Sequence, residues 1–591
     1  MKILRHLLLV AAGMTLVALS ANAHPYASSV TNNNGTVQFI LNENATAVAV
    51  AFDNGTVTNA LGALAKGANS FSLGAHTNYS IIVSNLGAGT ITQTSDDTSN
   101  ALQFIAPRGV GVNVNPQRPT FGRIYVVNSW PSVTPDNLGT TNATGNGRLV
   151  GRGIYAINQD GSDAIGQGTN ALVGNMVFGT SVRYSPYRVF VGPDDSVYVG
   201  DLSGSYTAAL SPTGTYSYSP PGGGVWWASP DFSSTTNLFD TNDIGTVYDG
   251  VQGLYVTGSL AAGNLVVYAD EWSETGTDAY GNFLLPPAIW QYTYNSVTNP
   301  IPMANDPVGV VAVGLYINGV LGDMTIDPAT GYIYAAQDRT SAAGDSTGTG
   351  EANNNNATLY VYDSTGTNNL WESGIGGANI YDATFGVAVS PDGNWLACAT
   401  GFATTIITHI TNGIPDLSTV VTIAEEANPA VGLLSVKRGV AFDAADNVIT
   451  SLPQTPGGGI DAPTTSLPAV VREYSLGFTS VATTSNDATG TNGAFSLVLS
   501  PAASPSRSAT ITGVTAAGGN VTLTWTTASS PSSPDDTIAS FAIQSATSLS
   551  GGFSDLSPAA TITQPGGAGT AFQATITAPL QPATFYRIRH L

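Results

Sequence analysis

Five charged residues recur near the start of an apolar run in a repeated strand–turn–strand pattern. Three are arginines, in a chain with only 17 lysines and arginines, and two are aspartates. Grouped around one axis, they could bind an anionic or polyhydroxylated ligand through forked hydrogen bonds. The alternative is that they pair with one another and hold neighbouring repeats together. The five residues are Arg108, Arg188, Asp323, Asp382 and Arg438.

The two aspartates of this set, Asp323 and Asp382, are also the acid–base pair that a glycan-active enzyme would use. Hydrolysis of a glycosidic bond needs two carboxyl groups roughly 5–10 Å apart. Pairing of each aspartate with a neighbouring arginine would argue against that role. A lyase would use an arginine to neutralise its substrate, but the sequence indicates no base for such a reaction.

A cluster of carboxylates in the stretch 270–282, DEWSETGTDAYGN, predicts a loop that could bind calcium. Ca²⁺ takes several oxygen ligands, and such ligands are often supplied by loops. The spacing is not that of an EF-hand, so a solvated acidic loop is the alternative. The candidate ligands are Asp270, Glu271, Glu274 and Asp278.

A copper site was considered at His24, which becomes the first residue if the chain is cleaved after residue 23. An N-terminal histidine offers its amine and a ring nitrogen, and with a second imidazole such as His76 it resembles the copper-binding brace of lytic polysaccharide monooxygenases. No flat aromatic face accompanies the two histidines. The favoured interpretation is therefore that His24 only marks the processing site.

Two tryptophans, Trp226 and Trp227, lie in the Gly/Ser/Asn-rich stretch 212–247. Exposed aromatic side chains can stack on sugar rings, which makes both tryptophans candidate ligand-binding residues. Buried anchors of a long loop are the alternative interpretation.

The stretch 384–401, TFGVAVSPDGNWLACATG, has two short apolar runs on either side of a Ser-Pro-Asp-Gly turn and therefore predicts a β-hairpin. Several copies are followed by a second strand pair, and four strands per repeat indicate a propeller blade. We therefore predict an all-β fold with a central β-propeller of six blades, or seven, at residues 104–499. Insertions at 212–247, 274–283 and 340–356 would form loops on one face. The copies of the hairpin lie at 108–128, 187–201, 252–272, 322–338, 384–401 and 438–452.

The pattern Gly-Val-Ala-Val-Ser-Pro-Asp-Gly resembles the first turn of exported NHL- and YVTN-type propellers. That resemblance implies a rigid propeller platform and no particular activity.

Two β-sandwich domains are predicted to flank the propeller. Residues 24–103, with the stretch FILNENATAVAVAFDNGT, resemble the immunoglobulin-like module of flagellar hook-capping proteins and other exported bacterial proteins. A Ser/Pro-rich linker at 500–509 precedes residues 510–591. Trp525 and the late Tyr586 of this last segment resemble the buried tryptophan and end-strand tyrosine of a fibronectin type III domain.

Residues 1–23 have a basic start, an apolar core and an Ala-Asn-Ala cleavage site, which together indicate a signal peptide. We therefore expect a secreted protein, extracellular or on the cell surface, with the periplasm as the alternative location and no membrane span. The net charge of −22 disfavours nucleic acid and anionic membranes as partners. The single cysteine, Cys398, excludes an intramolecular disulfide and is predicted to be buried in a strand.

These patterns favour a secreted, non-catalytic binding or adhesion protein. The propeller would be the platform for a glycan or protein ligand, and its loops would select that ligand. The alternative function is an extracellular glycan-active hydrolase or lyase that acts at the mouth of the propeller channel.

Overall fold

The computed structural model consists of β-strands, and the chain divides into two compact units, Met1–Leu499 and Ser500–Leu591. No α-helix occurs in the residues that the structure describes, which confirms the all-β prediction. In the same residues, no helix is long and apolar enough to cross a membrane. The structure describes residues 25–85, 91–104, 106–129, 141–142, 149–166, 168, 174, 176, 178, 186–201, 224–239, 251–271, 289–294, 310–313, 321–337, 358–373, 381, 384–400, 404–424, 439–452, 469–476, 480–486, 495–501, 510–517, 520–526, 541–546, 554–555, 560–563, 565, 571–577 and 585–590.

The first strands form two sheets that share one hydrophobic core, and we call this part the N-terminal module. Alternate residues of its strands are buried, as expected for sheets with one face in a core. Its first hairpin turns at Asn34-Gly35, where both residues have a positive φ, as a tight two-residue turn requires. Short 3₁₀ turns lie at Asp53–Gly55 and Asn100–Leu102. Its strands in this part of the chain are β1 (Ala27–Asn33), β2 (Thr36–Leu41), β3 (Ala45–Phe52), β4 (Val57–Leu64), β5 (Gly67–Ser72) and β6 (Tyr79–Asn85); the short strands β7 (Thr92–Gln93) and β8 (Gln103–Phe104) follow and belong to neither of these two sheets.

Six consecutive antiparallel sheets follow, and we call them ring sheets 1 to 6 in chain order. Ring sheet 1 has the order β9–β10–β13, with a small separate pair β11–β12. Ring sheets 2 and 3 have the orders β14–β15–β16–β17 and β18–β19–β20–β21. The strands are β9 (Pro107–Val112), β10 (Ile124–Asn128), β11 (Thr141–Asn142), β12 (Leu149–Val150), β13 (Gly153–Ile157), β14 (Arg188–Val191), β15 (Val197–Asp201), β16 (Gly224–Ala228), β17 (Thr235–Phe239), β18 (Val251–Thr257), β19 (Leu265–Glu271), β20 (Ile289–Tyr294) and β21 (Val310–Val313).

Ring sheets 4 and 5 have the orders β22–β23–β24–β25 and β26–β27–β28–β29, and ring sheet 6 begins with β30–β31–β32. Their strands are β22 (Leu321–Ile326), β23 (Ile333–Gln337), β24 (Leu359–Tyr362), β25 (Asn369–Glu372), β26 (Gly386–Val389), β27 (Trp395–Thr400), β28 (Thr404–Thr411), β29 (Ile414–Ala424), β30 (Val440–Phe442), β31 (Val448–Leu452) and β32 (Ala469–Ser475).

The ring sheets are neighbours in cyclic order. The first strand of each sheet lies beside the first strand of the next, and β30 of ring sheet 6 lies beside β9 of ring sheet 1. Separate hydrophobic clusters fill the spaces between successive sheets. The arrangement is that of a β-propeller-like fold, with the first strands around a common axis.

Glycines allow the first strands to approach closely near the axis. A Cβ atom on Gly253 would lie 2.5 Å from Oδ2 of Asp270 and 2.6 Å from the backbone nitrogen of Met324 in ring sheet 4. A Cβ atom on Gly439 would lie 2.9 Å from the carbonyl oxygen of Arg108 in ring sheet 1. These contacts leave no room for a side chain, so glycine is required there by packing.

The Gly253→Ala variant is expected to lose about 2–3 kcal/mol of stability, because its methyl group meets backbone atoms that cannot move independently. Gly200→Ala is the matched control, since its nearest contact is a side-chain methyl of Val251 at 3.1 Å. Chemical denaturation of the two variants measures the difference. Equal stabilities would contradict the close packing of ring sheets 3 and 4.

Strands that precede and follow the ring in sequence are exchanged between the ring and the N-terminal module. After ring sheet 6 the chain returns to the N-terminal module, where β33 (Ser480–Asn486) pairs with β6 and is followed by β34 (Phe495–Pro501) in the order β34–β33–β6–β3–β4. The outer edge of ring sheet 6 is filled by β7 and β8, which precede the ring in sequence.

This pairing differs from two sequence predictions. After the hairpin copy at 438–452, the sequence predicts a second strand pair of the propeller at 470–484, but β32 and β33 belong to different sheets. The predicted propeller range 104–499 therefore includes residues that hydrogen-bond to the N-terminal module. Sequence periodicity identified the strands and could not identify their partners, because partners distant in sequence leave no local pattern.

The three longest segments between described strands of ring sheets 2, 3 and 4 join the second strand to the third. They are 202–223, 272–288 and 338–357, the last followed by Thr358 directly before β24, and each begins and ends at the same end of its sheet. The predicted insertion 212–247 was too long, because β16 and β17 occupy part of it. The other two predicted insertions, 274–283 and 340–356, lie outside the described residues.

The second unit contains two further sheets around a core of aromatic residues. Trp525 is fully buried, as predicted, and its ring centroid lies 5.6 Å from that of Phe541 and 5.7 Å from that of Phe572. The sheet orders are β35–β36–β40–β39 and β38–β37–β41. The strands are β35 (Thr510–Ala517), β36 (Asn520–Thr526), β37 (Phe541–Ala546), β38 (Ser554–Asp555), β39 (Thr561–Thr563), β40 (Phe572–Thr577) and β41 (Phe585–His590).

Candidate functional site

One position of the first strand faces the axis at equivalent places in all six ring sheets. In ring sheets 2, 4 and 5 it lies five residues before the turn proline (Pro193, Pro328 and Pro391), and in each case it pairs with the second-to-last residue of the second strand. Four of the six residues are glycines, and a Cβ atom on Gly253 or Gly439 would meet backbone atoms of the neighbouring ring sheet at 2.6 and 2.9 Å, so the first strands pack closely at this level. The residues are Gly109, Arg188, Gly253, Asp323, Gly386 and Gly439.

Arg188 extends across this space and forms a buried ion pair with Asp323, at 3.3 Å between Nε and Oδ1. Its Nη1 donates to the carbonyl oxygen of Arg108 at 3.1 Å, and its Nη2 donates to the carbonyl oxygens of Gly322, at 3.0 Å, and Phe385. One guanidinium group from ring sheet 2 thus bonds to ring sheets 1 and 4 and to the residue just before ring sheet 5. Its side chain is 5% exposed.

Asp323 completes the connection between the sheets. Its Oδ2 accepts a hydrogen bond from the backbone nitrogen of Val387 in ring sheet 5, and its Oδ1 accepts one from Met324, both at 3.0 Å. Burial raises the pKa of Asp323 to about 6, although the charge of Arg188 and these backbone donors oppose the rise. The carboxyl group of Asp323 is nevertheless held in the ion pair by the guanidinium of Arg188 and by the backbone N–H groups of Met324 and Val387.

The contacts of Arg188 and Asp323 therefore support the second interpretation of the charged set, in which its members pair with one another and hold neighbouring repeats together. The nitrogens of Arg188 are directed at protein atoms, and those of the buried Arg108 include an Nε that donates to Oγ of Ser129 at 3.3 Å. Asp382 and Arg438 lie outside the described residues, so their roles stay predictions. The pairing of Asp323 with an arginine argues against its use as an acid–base catalyst.

The position of Asp270 contradicts part of the calcium-site prediction. It lies in the second strand of ring sheet 3, is fully buried, and accepts hydrogen bonds from the backbone nitrogens of Gln252, at 3.1 Å, and Gly253. It is therefore not part of a solvated loop. Among the described residues, no three His, Cys, Asp or Glu side chains are grouped to hold a metal. Glu274 and Asp278 lie outside those residues, and so does the side chain of Glu271.

Asp270 instead belongs to the axial cluster. Burial, with the added charge of Asp323, raises its pKa to about 7, and Oδ2 has no hydrogen-bond partner in the part of the chain described. This role could not be separated from that of the acidic stretch in the sequence, because the apolar strand LVVYAD runs directly into it. The regular strand pattern up to Ala269 was the signal that could have placed Asp270 on a strand.

The two tryptophans of β16 are packing residues and not exposed platforms. Trp226 is 9% exposed and packs between ring sheets 1 and 2, among Val127 and Val199. Trp227 is partly buried against the core between ring sheets 2 and 3. Of the two interpretations, exposed stacking residues and buried anchors, burial holds, although the residues lie in a strand, because strand alternation sends adjacent residues into the two neighbouring cores.

The candidate copper ligand His76 already has a partner. Its Nδ1 lies 2.6 Å from Oδ2 of Asp53, and its ring stacks on Phe52 at a centroid distance of 4.4 Å. His24 lies outside the described residues. This geometry gives the copper proposal no support. Cys398 is buried in β27, as predicted, and burial raises the pKa of its thiol.

A cavity of about 250 Å³ lies on the axis next to the Arg188–Asp323 pair. All six first strands contribute to its wall, which is mostly apolar. At the other end, near the turns, the lining residues Val114, Pro328 and Pro391 are exposed. The ion pair therefore bounds one end of an apolar channel.

A second buried acidic group lies where the N-terminal module meets ring sheet 6. Glu473 of β32 is 4% exposed, and Oε2 lies 3.9 Å from Nζ of Lys66 in the module. Burial raises the pKa of Glu473 to about 8; Lys66 opposes the rise, and the nearby Asp443 and Glu43 add to it.

The Glu473→Gln variant is expected to weaken the pH dependence of stability. A carboxyl group whose pKa is higher in the folded protein than its ordinary 4.5 destabilises the fold as pH rises from about 4.5 to about 8. The wild type should therefore lose about 4 kcal/mol more than the variant between pH 5 and pH 9, since about three pKa units lie between pH 5 and the folded-state pKa of about 8. Urea denaturation at both pH values measures this, with the exposed Glu372→Gln as control. Identical pH profiles of wild type and Glu473→Gln would contradict the assignment.

The chain was also compared with known proteins. No protein-family model and no curated protein matches it. A structural genomics protein of unknown function from Bacteroides thetaiotaomicron is 9% identical, with 76% of this chain and 98% of that chain covered at a TM-score of 0.34. The structure of U3-55K is 10% identical, with 66% and 100% covered at a TM-score of 0.35.

The WD40 β-propeller domain of Doa1 is also similar, at 9% identity, with 77% of this chain and 94% of that chain covered and a TM-score of 0.31. All three TM-scores are below 0.5. These likenesses are too weak to support any conclusion about this chain.

Proposed function

We propose that the six ring sheets are the blades of a six-bladed propeller of the exported NHL/YVTN-like kind. The N-terminal module would be an immunoglobulin-like sandwich and the second unit a fibronectin type III-like one. The cyclic order of the first strands and the shared cores of the paired sheets support this interpretation. Residues 1–23 are proposed to be a cleaved signal peptide.

On this fold we propose a secreted, non-catalytic binding or adhesion protein with a glycan or protein ligand. One observation carries the proposal: within ring sheets 2, 3 and 4 the longest segments are those that join the second strand to the third, and all three leave their sheets at the same end. Loops collected on one face of a rigid scaffold are a common form of binding surface. The alternative is a glycan-active enzyme at the channel mouth, and the pairing of Asp323 with Arg188 disfavours it.

The direct test is a glycan-array and insoluble-polysaccharide pull-down with the purified chain. We expect binding that is lost when the segments 202–223, 272–288 and 338–357 are each replaced by a short Gly-Ser linker. A matched control replaces the mostly exposed turn 363–368 between β24 and β25, at the opposite end of ring sheet 4, with a Gly-Ser linker of equal length. If glycan binding persists after all three replacements, the ligand does not bind at the face that these segments share, and the proposed binding surface is overturned.

Assays for new reducing ends and for unsaturated sugars on every bound polysaccharide separate binding from catalysis. The proposal predicts no product from any of them. Product release would support the enzyme alternative. No retention of any glycan, combined with capture of a defined extracellular protein, would specify a protein ligand.

A further inference from the structure

The side chains that line the channel two residues beyond the level of Arg188 and Asp323 differ between the two halves of the ring. This asymmetry points to a ligand. Two residues after the charged position, ring sheets 2, 3 and 4 carry Phe190, Tyr255 and Thr325. Ring sheets 5, 6 and 1 carry only small residues at the same place, namely Ala388, Ala441 and Gly111. All six line the cavity of about 250 Å³. Gly111 packs against the backbone of Val189, so the space opposite the aromatic wall is that left by Ala388 and Ala441.

The aromatic wall is formed by two adjacent rings. The centroids of Phe190 and Tyr255 lie 4.9 Å apart, with an angle of 54° between the ring planes. Both side chains are only partly buried, in contrast to the fully buried tyrosines between the sheets. Partly exposed aromatic rings that face an empty space can be covered by another flat ring.

Two hydroxyl groups on this side of the cavity give it a polar contact point. Within the part of the chain described, no hydrogen bond engages the hydroxyl of Tyr255 or that of Thr325. Burial raises the pKa of Tyr255 to about 12, so its hydroxyl keeps its proton and can donate. A ligand with one hydroxyl or carbonyl group can therefore be oriented in the cavity.

The charged end of the cavity selects against an ionised ligand. Arg188 and Asp323 already neutralise each other, and the nitrogens of Arg188 face carbonyl oxygens. Asp270 of the same cluster is fully buried and does not line the cavity, so a charged ligand would lose its water without gaining a counter-ion. An apolar cavity of about 150 Å³ is large enough for benzene, so 250 Å³ is enough for a ring with a few substituents.

We propose that the axial channel binds a small, uncharged aromatic molecule with a hydroxyl or carbonyl group. Its ring lies in the space beside Ala388 and Ala441 and contacts Phe190 and Tyr255. Its polar group bonds to the hydroxyl of Tyr255 or Thr325. This site is separate from the loop face proposed for the glycan or protein ligand, and the two proposals can fail independently.

The test is isothermal titration of the full chain with p-cresol and with toluene, which differ by one hydroxyl group. We expect p-cresol to bind with a Kd of about 10 µM to 1 mM, and toluene to bind about 3- to 10-fold more weakly. Tyr255→Phe and Thr325→Val together should remove the difference between the two probes. An equal affinity of the wild type for both probes would overturn the polar contact.

Filling the cavity tests the location. The Ala388→Leu/Ala441→Leu variant should bind both probes at least 10-fold more weakly, whereas Ala63→Leu, on an exposed strand of the N-terminal module, should bind like the wild type. If the double variant does not fold, the smaller changes Ala388→Val and Ala441→Val should weaken binding stepwise. No heat with either probe, or binding that the filled variants retain, would overturn the proposal.

Discussion

The Arg188→Met variant is expected to be about 3–5 kcal/mol less stable than the wild type. Methionine fills much of the space but donates no hydrogen bond. The change leaves the carboxylate of Asp323 buried without its cation, and three carbonyl oxygens lose their donor. Since these groups come from different ring sheets, the loss should destabilise the ring as a whole. Chemical denaturation followed by tryptophan fluorescence measures it.

The pH dependence of this variant separates an unpaired charge from lost packing. Asp323 has a raised pKa, so it lowers stability as pH rises from its ordinary 3.8 to about 6. Without Arg188 that pKa should rise further. The penalty of Arg188→Met should therefore be smaller at pH 5 than at pH 8. A penalty that is equal at both pH values would indicate a packing defect only.

A double-mutant cycle provides the control. Asp323→Asn keeps the side-chain oxygen that accepts from Val387 but removes the charge. In combination with Arg188→Met it should recover at least about 1 kcal/mol relative to the sum of the single changes. Strict additivity would show that the two side chains do not depend on each other.

Removal of the chain after Leu476 is expected to unfold the N-terminal module. This truncation deletes β33 and β34, so β6 loses the partner to which it is paired from Ser80 to Asn85. The buried Ala482 and Thr484 would also be lost, together with the bond from Oγ1 of Thr484 to the carbonyl oxygen of Ala27. We expect insoluble protein, or a melting temperature at least about 15 °C lower.

A chain that ends at Ala503 is the matched control, because it keeps both strands and lacks the second unit. It should fold with the melting temperature that the first unit has in the full chain. If the chain ending at Leu476 melts like this control, β33 is not required by the module. Limited proteolysis of both chains gives an independent measure, since an unfolded module would be cleaved within residues 25–85.

The sequence was most informative about the ring. Each hairpin is local, with two apolar runs and a turn of Pro, Asp and Gly, so strands such as β26 and β27 follow from the residues alone. The buried positions of Cys398 and Trp525 follow from the same alternation. Burial of strand residues is thus a short-range property, because neighbouring side chains point to opposite faces.

Only the tertiary structure decided what the charged residues do. The recurrence of Arg188 and Asp323 near the start of their strands was visible in the sequence, but their mutual contact depends on how the sheets surround the axis. Asp270 belongs to the same cluster, although its acidic neighbours indicated a calcium loop. Opposite charges that are 135 residues apart carry no sequence signal of their pairing.

The sequence by itself determined the all-β class and the hairpin repeat, and the export signal of residues 1–23 stays a prediction. The tertiary structure decided that the chain returns from ring sheet 6 to the N-terminal module, that the axis holds an ion pair, and that an asymmetric apolar cavity lies beside it. The physical reason is the range of the interactions. Turns and strand alternation act between near neighbours, whereas strand partners and axial contacts depend on closure of the whole ring.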